Sequence, residues 1–265
     1  MKLFLSSIFP SIRYQKNFKD IEKYCTFIGY PRSGHSLVGS LMDAHPNMVI
    51  SHELDALHYV KAGFVRNQIF YLILRNSAKF TSEGREWLGY SYQVPNQWQG
   101  RSKRLLVIGD KKGGGNTQRF KDDPALVHKL NKRIRMPIKF IHVVRNPFDN
   151  ISGIATRVRM KLSLEESIEY YFSLCTANEN LKQHIPGENF FEMKHENLVS
   201  QPEQILRELC RFLELECNKD YLRDCSSVIF KSPHSMRQKV GWTSELIKKV
   251  KHHIKMFPFL KGYSF

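Results

Sequence analysis

Five cysteines in 265 residues are odd in number and lack the short paired spacing of a zinc cage, so neither a disulfide framework nor a structural metal is expected. Free thiols in a reducing compartment fit this usage. Long apolar runs are lacking too. The run 3–9 contains Ser6 and Ser7 and is closed by Pro10, far short of the ~20 residues that span a bilayer. The segment 11–19 after it is basic and polar, unlike a signal-peptide cleavage region. No transmembrane anchor is expected, and the cytoplasm is the expected location. Acid is also short: 25 Asp and Glu stand against 41 Lys and Arg, a net charge of +16. Such a field attracts anions, and nucleic acid, an anionic membrane surface, an acidic glycan and a multiply phosphorylated nucleotide all suit it. Repeats and low-complexity tracts are missing, while Gly (15), Pro (11) and a hydrophobic share of 42% are ordinary for a globular chain. A single domain over residues 1–265 is expected.

What is present is an alternation of short apolar runs with helix-like stretches, which predicts an α/β fold with an open, mainly parallel sheet flanked by helices. Strands are expected at 24–29, 48–51, 105–109, 138–144 and 190–194. Helices are expected at 36–43, 63–80, 122–133, 148–159, 164–184, 202–213 and 244–255. In such sheets ligands bind beyond the carboxyl ends of the strands. The residues after Gly29, Ser51, Gly109 and Val144 are therefore the first candidates for chemistry.

Gly29-Tyr30-Pro31-Arg32-Ser33-Gly34-His35-Ser36 follows a strand and opens a helix, the setting in which backbone N–H groups and a helix N-terminus cradle a phosphate. It matches the P-loop pattern G-x-x-x-x-G-K-[ST] except at the lysine, which is His35; a cation stands three residues earlier as Arg32. That exchange argues against ATP or GTP hydrolysis, where the lysine spans the terminal phosphates and the next hydroxyl holds magnesium. A plain Pro-Gly turn with an exposed arginine would use the same residues. Further on, Arg145-Asn146-Pro147-Phe148-Asp149 places a cation at the end of a buried strand and Pro147 in a helix's first turn. Ser152 can add a hydroxyl on the same side, so Arg145 and Ser152 suit a phosphomonoester. Asp149 pairing with Arg145 at a helix N-terminus is the alternative. Two anion sites in one sheet suit a nucleotide bearing phosphate at both its 5' and 3' ends, with the sites a nucleoside apart.

On these residues the chain resembles the P-loop sulfotransferases that use 3'-phosphoadenosine 5'-phosphosulfate (PAPS). Tyr30 to Ser36 looks like the 5'-phosphosulfate loop, and Arg145 to Asp149 with Ser152 looks like the 3'-phosphate segment. The likeness extends through 164–172, through His195-Glu196-Asn197-Leu198 with Pro202, and on to Phe212 and Leu213; it is weakest at 60–100. Within the family, Pro31 to Leu37, Asp43-Ala44-His45-Pro46 and Glu53 resemble the tyrosylprotein sulfotransferase branch and related bacterial enzymes. Two departures stand out: His35 replaces Thr or Ser, and Ser152 follows Arg145 by seven residues where eight is commoner. The resemblance implies a sulfuryl transfer from PAPS to a hydroxyl or amine acceptor by in-line displacement, leaving 3'-phosphoadenosine 5'-phosphate (PAP), with no metal. It implies Pro31, Arg32, Ser33, Gly34, His35, Ser36, Arg145 and Ser152 as nucleotide ligands. Arg237 and Lys239, with Gly241 and Trp242, resemble a basic loop at 231–243 that closes over the nucleotide; a basic surface turn would read the same.

A loose in-line transition state rests on positioning and on charge at the leaving phosphate, for which Arg32 and the loop N–H groups are the candidates. A hydroxyl acceptor must also lose a proton, and the resemblance gives Glu53 as the base with His52 in reserve. Ser51, Glu53 and Asp55 could instead cap a helix. Lys111 and Lys112, before Gly113, Gly114 and Gly115, stand at the same sheet edge and could touch the sulfuryl group or only line a surface loop. The stretch 60–100, with Trp87, Tyr90, Tyr92 and Trp98, is the expected acceptor-side insertion, serving a small alcohol, glycan, lipid or peptide. The competing readings are a P-loop nucleotide kinase, which needs magnesium and a lysine at position 35, and a basic nucleic-acid-binding protein. No basic helix or aromatic RNA-binding motif supports the latter, so nucleic acid is not an expected partner.

Overall fold

The computed structural model describes residues 2–157, 160–232 and 235–265. Within them the β-branched and aromatic runs become strands: β1 (Lys23–Gly29), β2 (Met48–His52), a short antiparallel hairpin of β3 (Glu86–Trp87) and β4 (Tyr90–Ser91), then β5 (Val107–Lys111), β6 (Ile138–Val144) and β7 (Phe190–Lys194). The five longer strands form one parallel sheet in the order β2-β5-β1-β6-β7. Every residue of β1, β2, β5 and β6 is buried, as expected where helices cover both faces. Side chains alternate between those faces. Tyr24 and Ile28 of β1 pack under the helices Lys2–Arg13, Arg66–Ser82 and Leu126–Ile134. Cys25 and Phe27 pack against His35–Asp43, Pro202–Phe212 and Lys219–Ser227. A third cluster joins Pro147–Ala155, Leu164–Lys182 and Ser244–Ile254 around Tyr30 and Val144. From β1 the chain goes to β2 and back to β5 on one side, then crosses to β6 and β7 on the other, so the crevice beyond the end of β1 is the topological switch point where such sheets bind ligands.

Three local expectations are corrected. The helix expected at 122–133 begins only at Leu126 and runs to Ile134, and a separate helix, Gly114–Asp122, precedes it. Asp123 precedes Pro124 and adopts φ −142°, ψ 84°, because a residue before proline is pushed out of the α region. The helix expected at 148–159 runs Pro147–Ala155, and Arg159 lies outside the described residues. Pro10 does not end the N-terminal run, which forms the helix Lys2–Arg13 through it. A proline forfeits one backbone hydrogen bond there, and the helix is held by Gln68, whose amide donates to Phe4 O (2.9 Å) and Ser7 Oγ (3.0 Å).

The insertion between β2 and β5 is tied down by a buried ion pair. Asp43 accepts from Arg85 Nη1 (2.7 Å), Ser77 Oγ (2.8 Å), Ile50 N (2.8 Å) and Gly100 N (3.1 Å). Because desolvation offsets most of the Coulomb gain of a buried pair, its effect is chiefly positional: it fixes the β3–β4 hairpin against the sheet. Among the described residues no helix is long and apolar enough to cross a membrane.

Candidate active site

The loop after β1 is shaped by two left-handed residues, Arg32 (φ 70°) and Gly34 (φ 91°). Gly34 answers a second need, since a Cβ there would run into the His195 ring. The helix His35–Asp43 then begins, and the N–H groups of Gly34, His35 and Ser36 have no acceptor among the described residues. First-turn donors of this kind are a ready anion site. Gly113 (φ 47°) lets the loop after β5 lie on this turn, because a Cβ would meet the His35 ring at 2.6 Å.

At the end of β6, Arg145 Nη1 donates to Arg32 O (3.2 Å) and Asn150 Nδ2 to Pro31 O (2.6 Å). The two basic segments therefore touch. Asn146 caps the helix Pro147–Ala155 by accepting from Phe148 N (3.0 Å). Ser152 is fully buried; its Oγ donates to Phe148 O (2.7 Å) and accepts from Trp242 Nε1 (3.0 Å). Asp149 pairs with Arg237 (2.6 Å) and accepts the N–H of Met236 (2.6 Å), which docks the 3-10 turn Arg237–Lys239 onto that helix.

Glu53 stands just past β2 in the left-handed region (φ 57°). Asp110 builds that turn by accepting from Ser51 Oγ (2.8 Å), Leu54 N (3.2 Å) and Ala56 N (2.8 Å). Strand pairing puts His52 beside Lys111, and the next carboxylate collects both lysines of β5 and its loop. Lys111 Nζ lies 2.6 Å from Oε1 and Lys112 Nζ 3.0 Å from Oε2, while His35 Nε2 is 3.9 Å away. Lys111 Nζ also donates to Ser36 Oγ (2.9 Å), linking the carboxylate to the first turn of the helix His35–Asp43. Burial alone would raise the Glu53 pKa, but His35 and Lys111 outweigh it and hold the carboxyl well below its usual range.

These groups share one cleft of about 470 Å³. Pro31, Arg32, Gly34, His35, Ser36, Glu53, Lys112 and Arg145 line it; Ser33, His52, Ser152, Arg237 and Lys239 do not. Ser33 turns inward to His35 Nδ1 (3.1 Å), and His52 stacks on Phe80 with ring centroids 4.2 Å apart. Lys239 is exposed on its turn, and Pro233 and His234 of the expected covering loop lie outside the described residues. Trp87, Tyr90 and Tyr92 of the insertion form one wall, closed by Phe230, whose ring meets Tyr90 at 6.4 Å. Two lining residues are given no role from the sequence. Arg157 sits past its helix, and His195, whose Nδ1 is buried without a hydrogen-bond partner among the described residues, enters from the end of β7. His195 belonged to the family likeness as part of a motif, but nothing local signalled that its ring reaches Gly34.

Burial and then the Arg145 charge lower the His195 pKa to about 4, and burial lowers that of His52 to about 2. His35 and His45 are lowered by burial as well. A histidine depressed in the native state is protonated first in the unfolded chain, so stability is lost as pH falls from about 6.5. Asp110, raised to about 6 by burial, acts in the opposite sense between about 4 and 6 and is outnumbered. Melting temperature is thus expected to drop between pH 7 and pH 5, and His52→Phe to flatten the drop. Thermal melts across that range check this; an unchanged slope in the variant removes His52 from the account.

Residues 130–219 match the model of the sulfotransferase family. No curated protein sequence matches the chain. Among solved structures, the sulfotransferase domain of the Synechococcus PCC 7002 olefin synthase is 18% identical and covers 86% of this chain and 83% of its own, with a TM-score of 0.53. The sulfotransferase domain from the curacin biosynthetic pathway is 15% identical over 89% and 96%, TM-score 0.55. A mouse sulfotransferase complexed with PAP is 11% identical over 89% and 84%, TM-score 0.50. At such identities these likenesses establish the shared fold, and the match in sequence to the sulfotransferase family model spans residues 130–219.

Proposed function

We propose that the protein transfers the sulfuryl group of PAPS to a hydroxyl or amine acceptor by in-line displacement. One observation carries this reading over a kinase: the Ser36 hydroxyl, which would hold magnesium in a P-loop kinase, is already taken by the Lys111 ammonium at 2.9 Å. The residues fit the nucleotide. Unfilled N–H groups of Gly34, His35 and Ser36, with Arg32, suit its 5' anions, and Arg145 with the unpartnered His195 Nδ1 suits further phosphate. Ser152, Arg237 and Lys239, assigned by resemblance, would have to leave their present partners or positions to join them.

PAPS supplies a sulfuryl group already bonded to a phosphate leaving group. Glu53 takes the acceptor proton while the acceptor atom bonds to sulfur and the sulfur–phosphate oxygen bond breaks. Its low basicity at rest follows from His35 and Lys111, with Lys112 the second lysine on the carboxylate. An anion placed among those lysines shares their charge and restores basicity to the carboxylate where the proton must go. Trp87, Tyr90 and Tyr92 favour an acceptor with a ring or sugar face. Five free cysteines, four of them buried, support a cytoplasmic setting.

PAP is expected to raise the melting temperature clearly, and ATP with magnesium little, because a ligand stabilises the fold it binds. Loss of the 3'-phosphate should weaken binding by about 1.5–3 kcal/mol, as for hydrogen bonds to a charged group. Calorimetric titration with PAP and AMP measures this; equal affinities would refute a 3'-phosphate site.

A further inference from the structure

The helix Lys2–Arg13 buries Ser7 and Ser11 against Arg66–Ser82 and sets Phe4 edge-to-face on Phe64 with ring centroids 5.0 Å apart, which leaves its opposite face turned outward. On that face Leu5, Phe9 and Ile12 recur at i, i+4 and i+7 and are 58%, 82% and 53% exposed. Phe9 is the most exposed large apolar side chain among the described residues. Burial of this ridge would be favourable, and nothing within the described residues covers it.

The charge around the ridge identifies the occupant. Neither residues 2–19 nor Arg66–Ser82 contain a single Asp or Glu. Lys2, Arg13, Lys16, Lys19, Arg66 and Arg75 are all exposed, with no ion pair among the described residues. A second copy of the chain would bring this acid-free face against itself, and like charges repel. Nucleic acid would match the charge but would leave Leu5, Phe9 and Ile12 without an apolar environment. A membrane surface with anionic headgroups satisfies both features at once: cations at the headgroups, the ridge in the acyl boundary. At 12 residues, roughly 18 Å long, the helix can lie in that interface but cannot span it.

We infer that the outer face of the helix Lys2–Arg13 docks the protein on anionic membrane surfaces through Leu5, Phe9 and Ile12. The inference is independent of the proposed sulfuryl transfer. The test is flotation of the full chain with vesicles of phosphatidylcholine alone and of phosphatidylcholine with about a quarter phosphatidylserine. Binding is expected to the mixed vesicles, to weaken with salt, and to fall about tenfold or more in the triple variant L5S/F9S/I12S. These side chains are exposed, so the variant should melt as the wild type does and should bind PAP unchanged. Three results would each overturn the inference: no wild-type preference for anionic vesicles; binding that salt abolishes but the triple variant retains; or a wild-type dimer in solution that the variant dissociates.

Discussion

Arg32→Ala is expected to lower turnover by about 100- to 1,000-fold, as loss of one transition-state charge donor does elsewhere, and to weaken PAP far less. Arg32 lines the cleft beside the unfilled N–H groups of Gly34, His35 and Ser36, which remain to hold the ground-state anion in its absence. Under the proposed sulfuryl transfer, its own contribution is a charge that counts most where the leaving phosphate gains charge. The backbone is not the cause of the loss, since φ 70° is left-handed for arginine and alanine alike and the carbonyl that accepts from Arg145 stays in place. Arg32→Lys should recover part of the rate, because a point charge replaces a planar fork of donors. Rapid-quench turnover alongside PAP titration checks both variants. If kcat is intact in Arg32→Ala, the leaving-group role passes to the lysines around Glu53.

Elements whose causes are local were legible in the sequence. Ile138–Val144 and Phe190–Lys194 fall where the β-branched and aromatic runs place them, and the turn 30–34 sits where a strand meets a helix. The helix break at Asp123 was legible as well, through Pro124, but the surrounding helical composition masked it. What could not be read depends on pairing across the sheet. Glu53 meets Lys111 and Lys112 only because β2 lies next to β5, a neighbour 58 residues away along the chain. No spacing rule foresees that the carboxylate singled out as a base rests between two ammonium groups. The same holds for Ser152, whose position on its helix was foreseeable but whose hydroxyl is claimed by Trp242, 90 residues on. Arg237 is another such case: its basic character was evident, yet only tertiary docking gives it Asp149 as partner.

Glu53→Gln is expected to cut turnover by roughly a hundredfold or more, because it keeps the shape of the side chain and removes the proposed base. The lysine cage adds a second expectation that separates a base from a mere spacer. With the carboxylate charge gone, Lys111 and Lys112 lose their counter-ion, so the cleft becomes more positive and PAP should bind as tightly as before or more tightly. Lys111 is buried, so the variant should also melt at a lower temperature. A spacer would show that stability loss with the rate nearly intact. The pH profile gives an independent reading. The ionised form of Glu53 is stabilised by His35 and Lys111, so kcat/KM should show no acid limb from this residue until the pH falls below about 4, the ordinary carboxylate value. His52 is the control. Its ring is buried against Phe80 and its Nε2 meets no partner among the described residues, so His52→Ala should leave the proton transfer in place and act only through packing. Activity that survives in Glu53→Gln and disappears in His52→Ala would instead mean that the ring moves into the cleft to act as base, and that Glu53 serves only to hold its lysines.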